Sequence, residues 1–207
     1  MEKKSDKKLS DILQAARRRF AKQGLSKTTM NEIAEDLGTS KAALYYYFKD
    51  KEQIYREVVA SEQQQFIELI QGLLERKLPL AEKLKIYADH RFTSFRDLVN
   101  LSKLSFDSLF RFRPVIQDLM KEFKKKELVL IEKILEQGIA SGEARNIDKR
   151  FYAELFASSM AGLRLGSLRK SESDKDPSPA SLKNQRAQML TLAELFSNGI
   201  SRKRSRV

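Results

Sequence analysis

The chain has 207 residues, of which 41% are hydrophobic and 33% charged, enough for one large helical domain or a headpiece with a larger domain. It contains no cysteine, which excludes disulfides, thiolate metal sites and cysteine nucleophiles. Its 40 lysines and arginines exceed the 28 acidic residues, and the net charge of +12 favours a polyanionic partner, either nucleic acid or an anionic membrane surface.

The N-terminal segment, MEKKSDKKLSDILQ, contains no apolar stretch typical of a signal peptide. No part of the sequence approaches the roughly eighteen apolar residues that a membrane span needs. We therefore expect a cytoplasmic protein without a membrane anchor. The basic residues of this segment form either a flexible arm or a solvated tail without function; they are Lys3, Lys4, Lys7 and Lys8.

Apolar residues recur with helical spacing along most of the chain, so the sequence predicts an all-α fold of about nine helices. The first helix ends at Gly24, and the hydroxyl residues between Ser26 and Thr29 can cap the next one. Its apolar face consists of Leu9, Ile12, Leu13, Ala16 and Phe20.

Residues 28–51, TTMNEIAEDLGTSKAALYYYFKDK, predict a helix-turn-helix. Ile33, Ala34 and Leu37 give a first short helix an apolar edge. Gly38 follows directly, at the position where a helix end requires a residue that accepts positive φ. The spacing therefore predicts two short helices joined by a tight turn.

The second short helix is expected to pack on one face and to enter a DNA major groove with the other. Successive helical residues lie about 100° apart, so four adjacent rings at residues 45–48 cannot all pack inward. We expect Leu44, Tyr47 and Phe48 to be core, although burial of all four rings is the alternative. The exposed face then carries Lys41, Ala42, Tyr45 and Tyr46.

Particular contacts with DNA follow from these positions. Lys41 can donate to guanine O6 and N7, or it contacts only phosphate. Ala42 can touch a thymine methyl or allow close approach. Hydroxyl groups and a lysine at the helix ends, and the backbone amides at the start of the first short helix, can bind DNA phosphates. These residues are Thr29, Met30, Asn31, Thr39, Ser40, Tyr46 and Lys51.

Further helices are predicted after residue 50 from capping residues, prolines and glycines. In chain order they are a long helix from Lys51 that ends before Pro79, a helix after Pro79, a short helix through residues 104–110, a long helix from Pro114 to Gly142, a helix from Lys149 to about Arg169, and a last helix from Leu182 to about Ile200. A polar loop is expected at residues 170–181, and a disordered basic end at residues 201–207.

Residues 6–66 resemble the tetracycline-repressor (TetR) family of bacterial regulators. The segment LYYYFKDKEQIY, residues 44–55, carries most of this resemblance. The other matching positions are Ile12, Ala15, Ala16, Phe20, Gly24, Thr28, Thr29, Ile33, Ala34, Leu37, Gly38, Ser40 and Lys41.

The resemblance implies a headpiece to about residue 49, a connecting helix to residue 66, and a regulatory, ligand-binding and dimerisation domain over residues 67–207. Such a protein would be a homodimeric regulator, most often a repressor, on palindromic double-stranded DNA. An effector among the helices of the second domain would shift the connecting helix and change the spacing of the two DNA-reading helices.

An apolar or amphipathic effector is expected beside a cluster of phenylalanines, which are alternatively ordinary core; these are Phe92, Phe95, Phe106, Phe110 and Phe123. Candidate polar anchors are Arg96, Asp107 and Arg111, each alternatively a surface residue. Small residues on the penultimate helix and the apolar face of the last one suggest a dimer surface, or alternatively contact with a helix of the same chain. Its candidates are Ala161, Gly162, Leu192 and Phe196.

No spacing of residues points to catalysis, a cofactor or a metal. His90 is the only histidine, and with Asp89 and Asp97 nearby it would supply at most half of a metal site. The alternative function is a basic helical protein that binds nucleic acid or anionic membrane without sequence choice.

Overall fold

The structure, a computed structural model, describes residues 2–102, 106–169 and 178–202. The regular elements in these residues are eight α-helices, which confirms the all-α class. Their bounds are α1 Glu2–Lys27, α2 Met30–Asp36, α3 Lys41–Tyr45, α4 Lys51–Glu75, α5 Leu80–Ser102, α6 Phe106–Ala140, α7 Lys149–Arg169 and α8 Pro179–Ile200.

Residues 106–140 form a single helix where the sequence predicts a break. Pro114 lies inside α6, although proline lacks the N–H that would donate to the carbonyl four residues earlier. One missing hydrogen bond does not end a helix of 35 residues. The described part of the chain therefore has eight helices, close to the predicted number of about nine.

Three helix boundaries differ from the prediction: the start of α1, the end of α1 and the start of α8. Helix α1 begins at Glu2, so the basic residues of the expected arm lie in its first turns. Gly24 has φ 77° and ψ 165°, and the predicted helix end is a kink followed by a last turn to Lys27. Helix α8 begins at Pro179, earlier than expected, after the N-cap Ser178. Residues 170–177 of the expected loop and 203–207 of the expected basic end lie outside the described residues.

Two compact units make up the chain. Unit 1 comprises residues 1–64 with 96–120, and unit 2 comprises residues 65–95 with 121–207. Helices α4, α5 and α6 each contribute residues to both units. The functional division that we predict at residue 66 stays a prediction.

Each unit has its own hydrophobic core. In unit 1, Phe20 of α1, Leu44 of α3 and Tyr55 of α4 are buried in one cluster, and the rings of Phe20 and Tyr55 meet edge to face at 5.3 Å. The core of unit 2 includes Ile70, Leu84, Ile131, Phe156 and Met189. Among the described residues, no helix is long and apolar enough to cross a bilayer.

Candidate nucleic-acid interface

Helix α2 begins with a reciprocal capping box between Thr29 and Glu32. Thr29 Oγ1 accepts from the N–H of Glu32 at 3.3 Å, and the N–H of Thr29 donates to Glu32 Oε2 at 2.8 Å. Such a box satisfies two donors that a helix start otherwise leaves unpaired. The Met30 side chain is buried and that of Asn31 is exposed. Because the Met30 side chain is buried, only its backbone amide is a candidate for phosphate anchoring at this end of α2.

Charged and amide side chains join α2 to α1. Arg19 donates through Nε and Nη2 to the two carboxylate oxygens of Asp36 at 2.6 and 2.7 Å, a bidentate pair. Hydrogen bonding by Arg19 lowers the pKa of Asp36, and hydrogen bonding by Gln23 and Thr29 lowers the pKa of Glu32. Both carboxylates therefore stay ionised at neutral pH and keep α2 in one orientation on α1.

The connection between α1 and α2, residues 24–29, is called the α1–α2 junction below. Thr28 is fully buried, and its N–H and Oγ1 donate to the carbonyl of Gly24 at 3.2 and 2.8 Å. Lys51 Nζ donates to the carbonyls of Ser26 and Thr28 at 3.1 and 2.9 Å. The first residue of α4 therefore has a structural role at this junction, which the sequence did not predict.

The turn between α2 and α3 has the geometry predicted for glycine. Gly38 has φ 60° and donates its N–H to the carbonyl of Glu35 at 3.0 Å. The N–H of Thr39 donates to the carbonyl of Ala34, also at 3.0 Å. This pair of bonds is a Schellman motif, which favours a residue at positive φ. Ser40 then caps α3, since its Oγ accepts a backbone N–H at 3.2 Å.

The aromatic residues at the end of α3 and directly after it divide between the core and the surface, as predicted. Leu44 is fully buried and Phe48 is 4% exposed, whereas Tyr47 is half-buried against the core of unit 1. Tyr45 is 47% and Tyr46 is 84% exposed. The alternative that all four rings are core is therefore wrong.

Lys41 and Ala42 complete the exposed face of α3. The ammonium of Lys41 lies 5.6 Å from the ring centroid of Tyr45, a cation–π contact across one helical turn. The face combines a cation, a small side chain and two phenols. These groups can contact base edges and phosphates.

Unit 1 brings some of the predicted DNA-contact residues together and gives others structural roles. Ser40, Lys41, Ala42, Tyr45 and Tyr46 are exposed at α3 or its cap, and Thr39 beside them is half-buried. The hydroxyl of Thr29 bonds Glu32, and Lys51 bonds the α1–α2 junction. No local sequence signal could have revealed the Lys51 contacts, because their partners lie 23 and 25 residues away.

The predicted effector pocket is described only in part. Phe92 and Phe123 are buried in the core of unit 2, and the Phe66 ring lies 5.7 Å from that of Phe123. Arg96 is half-buried and belongs to unit 1. The side chains of the other candidates lie outside the described residues; these are Phe95, Phe106, Phe110, Asp107 and Arg111.

A polar cluster is buried beside the described rings. Glu127 Oε1 accepts from the Tyr87 hydroxyl at 2.6 Å and from Arg91 Nε. The guanidinium carbon of Arg91 lies 4.8 Å from the ring centroid of Phe123 and 5.5 Å from that of Phe66. Sequence patterns did not reveal this cluster, because Tyr87 and Glu127 are 40 residues apart and meet only through folding.

The environment of this cluster keeps its charges in place. Burial alone would raise the pKa of Glu127, but the attraction of Arg91 and Arg164 outweighs it and lowers that pKa. Burial raises the pKa of Tyr87 well above its usual value, so the phenol stays protonated and donates. Burial lowers the pKa of Arg164 to about 9, which still leaves it charged at neutral pH. An apolar surround with a few polar groups is typical of small-molecule sites.

The residue before His90 forms an ion pair with the last helix. Arg186 of α8 donates to the carboxylate of the neighbouring Asp89 and lowers its pKa by that hydrogen bond. No group of three potential ligands comes together among the described residues. Asp89 forms an ion pair with Arg186.

The predicted dimer residues differ in their surroundings within unit 2. Gly162 is exposed and Ala161 is half-buried on α7. Leu192 and Phe196 of α8 are half-buried against the core of their own unit, and the Phe196 ring lies 4.7 Å from that of Phe156. Phe196 thus packs mainly within its own chain.

Large apolar side chains are exposed on α7 and α8. Phe151 is 59%, Leu155 is 46% and Leu165 is 43% exposed on α7, and Leu195 of α8 is 64% exposed. Their spacing places the three α7 residues on the same helical face as Gly162. Exposed apolar surface of this kind marks interaction sites when it is contiguous.

Comparison with known proteins agrees with the helix-turn-helix in unit 1. Residues 12–58 match the family described as bacterial regulatory proteins, tetR family. A transcriptional regulator from Cytophaga hutchinsonii ATCC 33406, known from a crystal structure, is 36% identical with a TM-score of 0.86, over 94% of this chain and 99% of that one. The chain belongs to the TetR family of transcriptional regulators.

Two further relatives carry more specific names. The fatty acid metabolism regulator protein of Bacillus subtilis (strain 168) is 28% identical over 138 residues, which are 67% of this chain and 71% of that protein. The structure of FadR from Bacillus subtilis in complex with stearoyl-CoA shares the fold, with a TM-score of 0.63 and 24% identity over 92% of this chain and 98% of that one.

The contacts of Lys51 generate a stability prediction. Lys51→Ala should lower the free energy of unfolding by about 2 kcal/mol, because hydrogen bonds that involve a charged group contribute about 1.5–3 kcal/mol. Lys49→Ala, at an exposed neighbouring lysine, is the control and should change stability by less than about 0.5 kcal/mol. Urea unfolding followed by circular dichroism measures both. Equal midpoints for the two variants would contradict the structural role.

Proposed function

We propose that this regulator is a ligand-responsive repressor that binds a palindromic operator as a homodimer. The observation that carries the DNA-binding part is the exposed face of α3, held by buried Leu44 and Phe48 and capped by Ser40. A rigid short helix can enter a major groove without an ordering cost on binding. Two copies placed about 34–36 Å apart would reach successive grooves of a palindrome.

The proposed contacts follow the position of each side chain. Lys41 donates to a guanine edge, Ala42 approaches the groove floor, and Tyr45 lies over the bases or their sugars. Anchoring to phosphate is assigned to Thr29, Met30, Asn31, Thr39, Ser40, Tyr46 and Lys51. Lys51 acts there in addition to its bonds to the α1–α2 junction, so its substitution affects both stability and affinity.

Substitutions on the exposed face should separate sequence reading from folding. Lys41→Ala and Tyr45→Ala should each weaken operator binding, since one good base contact contributes roughly 1–3 kcal/mol of discrimination. Lys22→Ala, at an exposed lysine of α1, is the charge-matched control. Footprinting and fluorescence anisotropy on operator and random duplex measure the effect. Uniform binding of wild-type protein without a protected palindrome would support the non-specific alternative instead.

A second copy of the chain is the proposed partner of α7 and α8. The exposed residues Phe151, Leu155, Leu165 and Leu195 supply apolar area, and Gly162 between them permits close approach of another helix. Ala161 lies beside this face, whereas Leu192 and Phe196 support it from the core side. Two reading helices at a fixed spacing require such an assembly.

The free space at Gly162 makes a direct test of the dimer possible. Among the described residues, a Cβ at Gly162 would meet no atom beyond its own helix backbone within 4 Å, so Gly162→Leu should leave the protomer folded. We expect it to disrupt the dimer in sedimentation at micromolar concentration. Gly72→Leu, at an equally open helical glycine of α4, is the control and should stay dimeric. A wild-type monomer would contradict the proposed assembly.

The proposed effector is an amphipathic molecule with a long apolar chain. Relatives named for fatty acid metabolism and for stearoyl-CoA support this choice, and so do the apolar rings around Arg91 in unit 2. The apolar chain would lie beside Phe92 and Phe123 in unit 2. Phe95, Phe106 and Phe110 stay candidates from the sequence. Arg91 would face the polar end of the effector.

The switch requires only that the effector prefer one of two arrangements of unit 2. Helices α4, α5 and α6 continue from unit 2 into unit 1, so a shift along them reaches the DNA-binding face through the chain itself. The effector then favours a spacing of the reading helices that does not fit the operator.

The effector proposal predicts a defined pattern of response. Long-chain acyl-CoA or fatty acid should release wild-type protein from its operator, and short-chain analogues should not. Phe106→Asn and Phe110→Asn should abolish release while operator binding by the free protein survives. Anisotropy titration measures both properties. Loss of both together in each variant would mean that these rings are core, and release by unrelated molecules alone would contradict the ligand class.

A further inference from the structure

A cleft in unit 1 separates the first turns of α1 from the helix-turn-helix. Its volume is about 320 Å³. It is lined by Lys7, Lys8, Asp11, Ile12, Leu37, Thr39, Ala43 and Leu44. One wall belongs to α1, and the other belongs to the turn and α3.

The cleft has an apolar floor and a basic rim. Half-buried Leu37 and Ala43 give the cleft accessible apolar surface above the buried Ile12 and Leu44, whereas Lys7 and Lys8 are exposed on the α1 side. Asp11 also lines the cleft, so the three charged side chains around it sum to a formal charge of +1. A cleft with apolar surface below two ammonium groups can bind a ligand in which carbon rings alternate with anionic groups. The rings would contact the apolar surface and the anionic groups would contact the lysines.

The two lysines are held by a helix instead of a flexible arm. Both lie in α1, which begins at Glu2, and the Lys8 ammonium lies 5.8 Å from the ring centroid of Tyr47. Tyr47 directly follows the exposed Tyr46 at the end of α3. The position of Lys8 is therefore linked to the end of the helix that presents Lys41 and Tyr45.

We propose that this cleft binds the sugar–phosphate strand of DNA beside the groove that α3 enters, with Lys7 and Lys8 each neutralising a phosphate and a deoxyribose against the apolar floor. The inference rests on the proposed operator binding. Charge complementarity and the position of Thr39 and Ala43 on the opposite wall argue for this occupant. The contact carries no base information, because every nucleotide offers the same backbone.

The test replaces both charges while keeping long side chains. Lys7→Gln/Lys8→Gln should weaken binding to operator and random duplex by the same factor. The slope of log affinity against log salt should become shallower by about 0.9 for each phosphate that the protein no longer neutralises. Lys124→Gln/Lys126→Gln, at two exposed lysines of α6, removes the same charge and is the control.

Neutral methylphosphonate linkages in the duplex then locate the contact. Substitution at one or two flanking phosphates of each half-site should weaken wild-type binding and leave the Lys7/Lys8 variant unaffected. A Lys7/Lys8 variant that matches the Lys124/Lys126 control, or that is weakened equally by these linkages, would overturn the inference. A changed base preference would also overturn it. Failure of wild-type protein to protect any discrete site would instead refute the proposed function.

Discussion

The bond between Lys51 and the α1–α2 junction is the contact on which the arrangement of unit 1 depends. The backbone turns at Gly24, and Thr28 is buried against it. The carbonyls of Ser26 and Thr28 then accept the Lys51 ammonium. Hydrogen bonds that involve a charged group contribute about 1.5–3 kcal/mol. A long cationic side chain from α4 can reach these carbonyls, so α1, α2 and α4 are fixed at one point.

From this junction, short-range contacts determine the position of α3. The Thr29 capping box starts α2, and the Schellman turn at Gly38 sets the direction in which the chain continues. Helix α3 has only five residues, far below the length at which an isolated helix is stable in water. Burial of Leu44 and Phe48 supplies the stability that its own hydrogen bonds cannot. The exposed face is therefore positioned by tertiary packing beneath it.

The sequence predicted those features of the site that depend on neighbours in the chain. Glycine at residue 38 and the outward position of Tyr46 follow from turn geometry and helical spacing. The bonds of Lys51 and the Tyr87–Glu127 contact could not be predicted, because folding brings together residues 23 to 40 positions apart. The break predicted at Pro114 was wrong. A long helix that continues on both sides of a proline tolerates the loss of one backbone hydrogen bond. Apolar spacing likewise could not distinguish the core packing of Phe196 from a dimer surface.

The buried ion pair of unit 2, unlike the Lys51 contacts of unit 1, is not assigned a role in stability. Replacing a buried ion pair by apolar residues is often neutral or stabilising, so the pairing of Arg91 with Glu127 is weak evidence for stability. An anionic or polar end of an amphipathic effector would compete with Glu127 for Arg91. These two residues lie on α5 and α6, which both continue into unit 1. In the proposed switch, a ligand that separates them would act on two helices that contribute residues to both units.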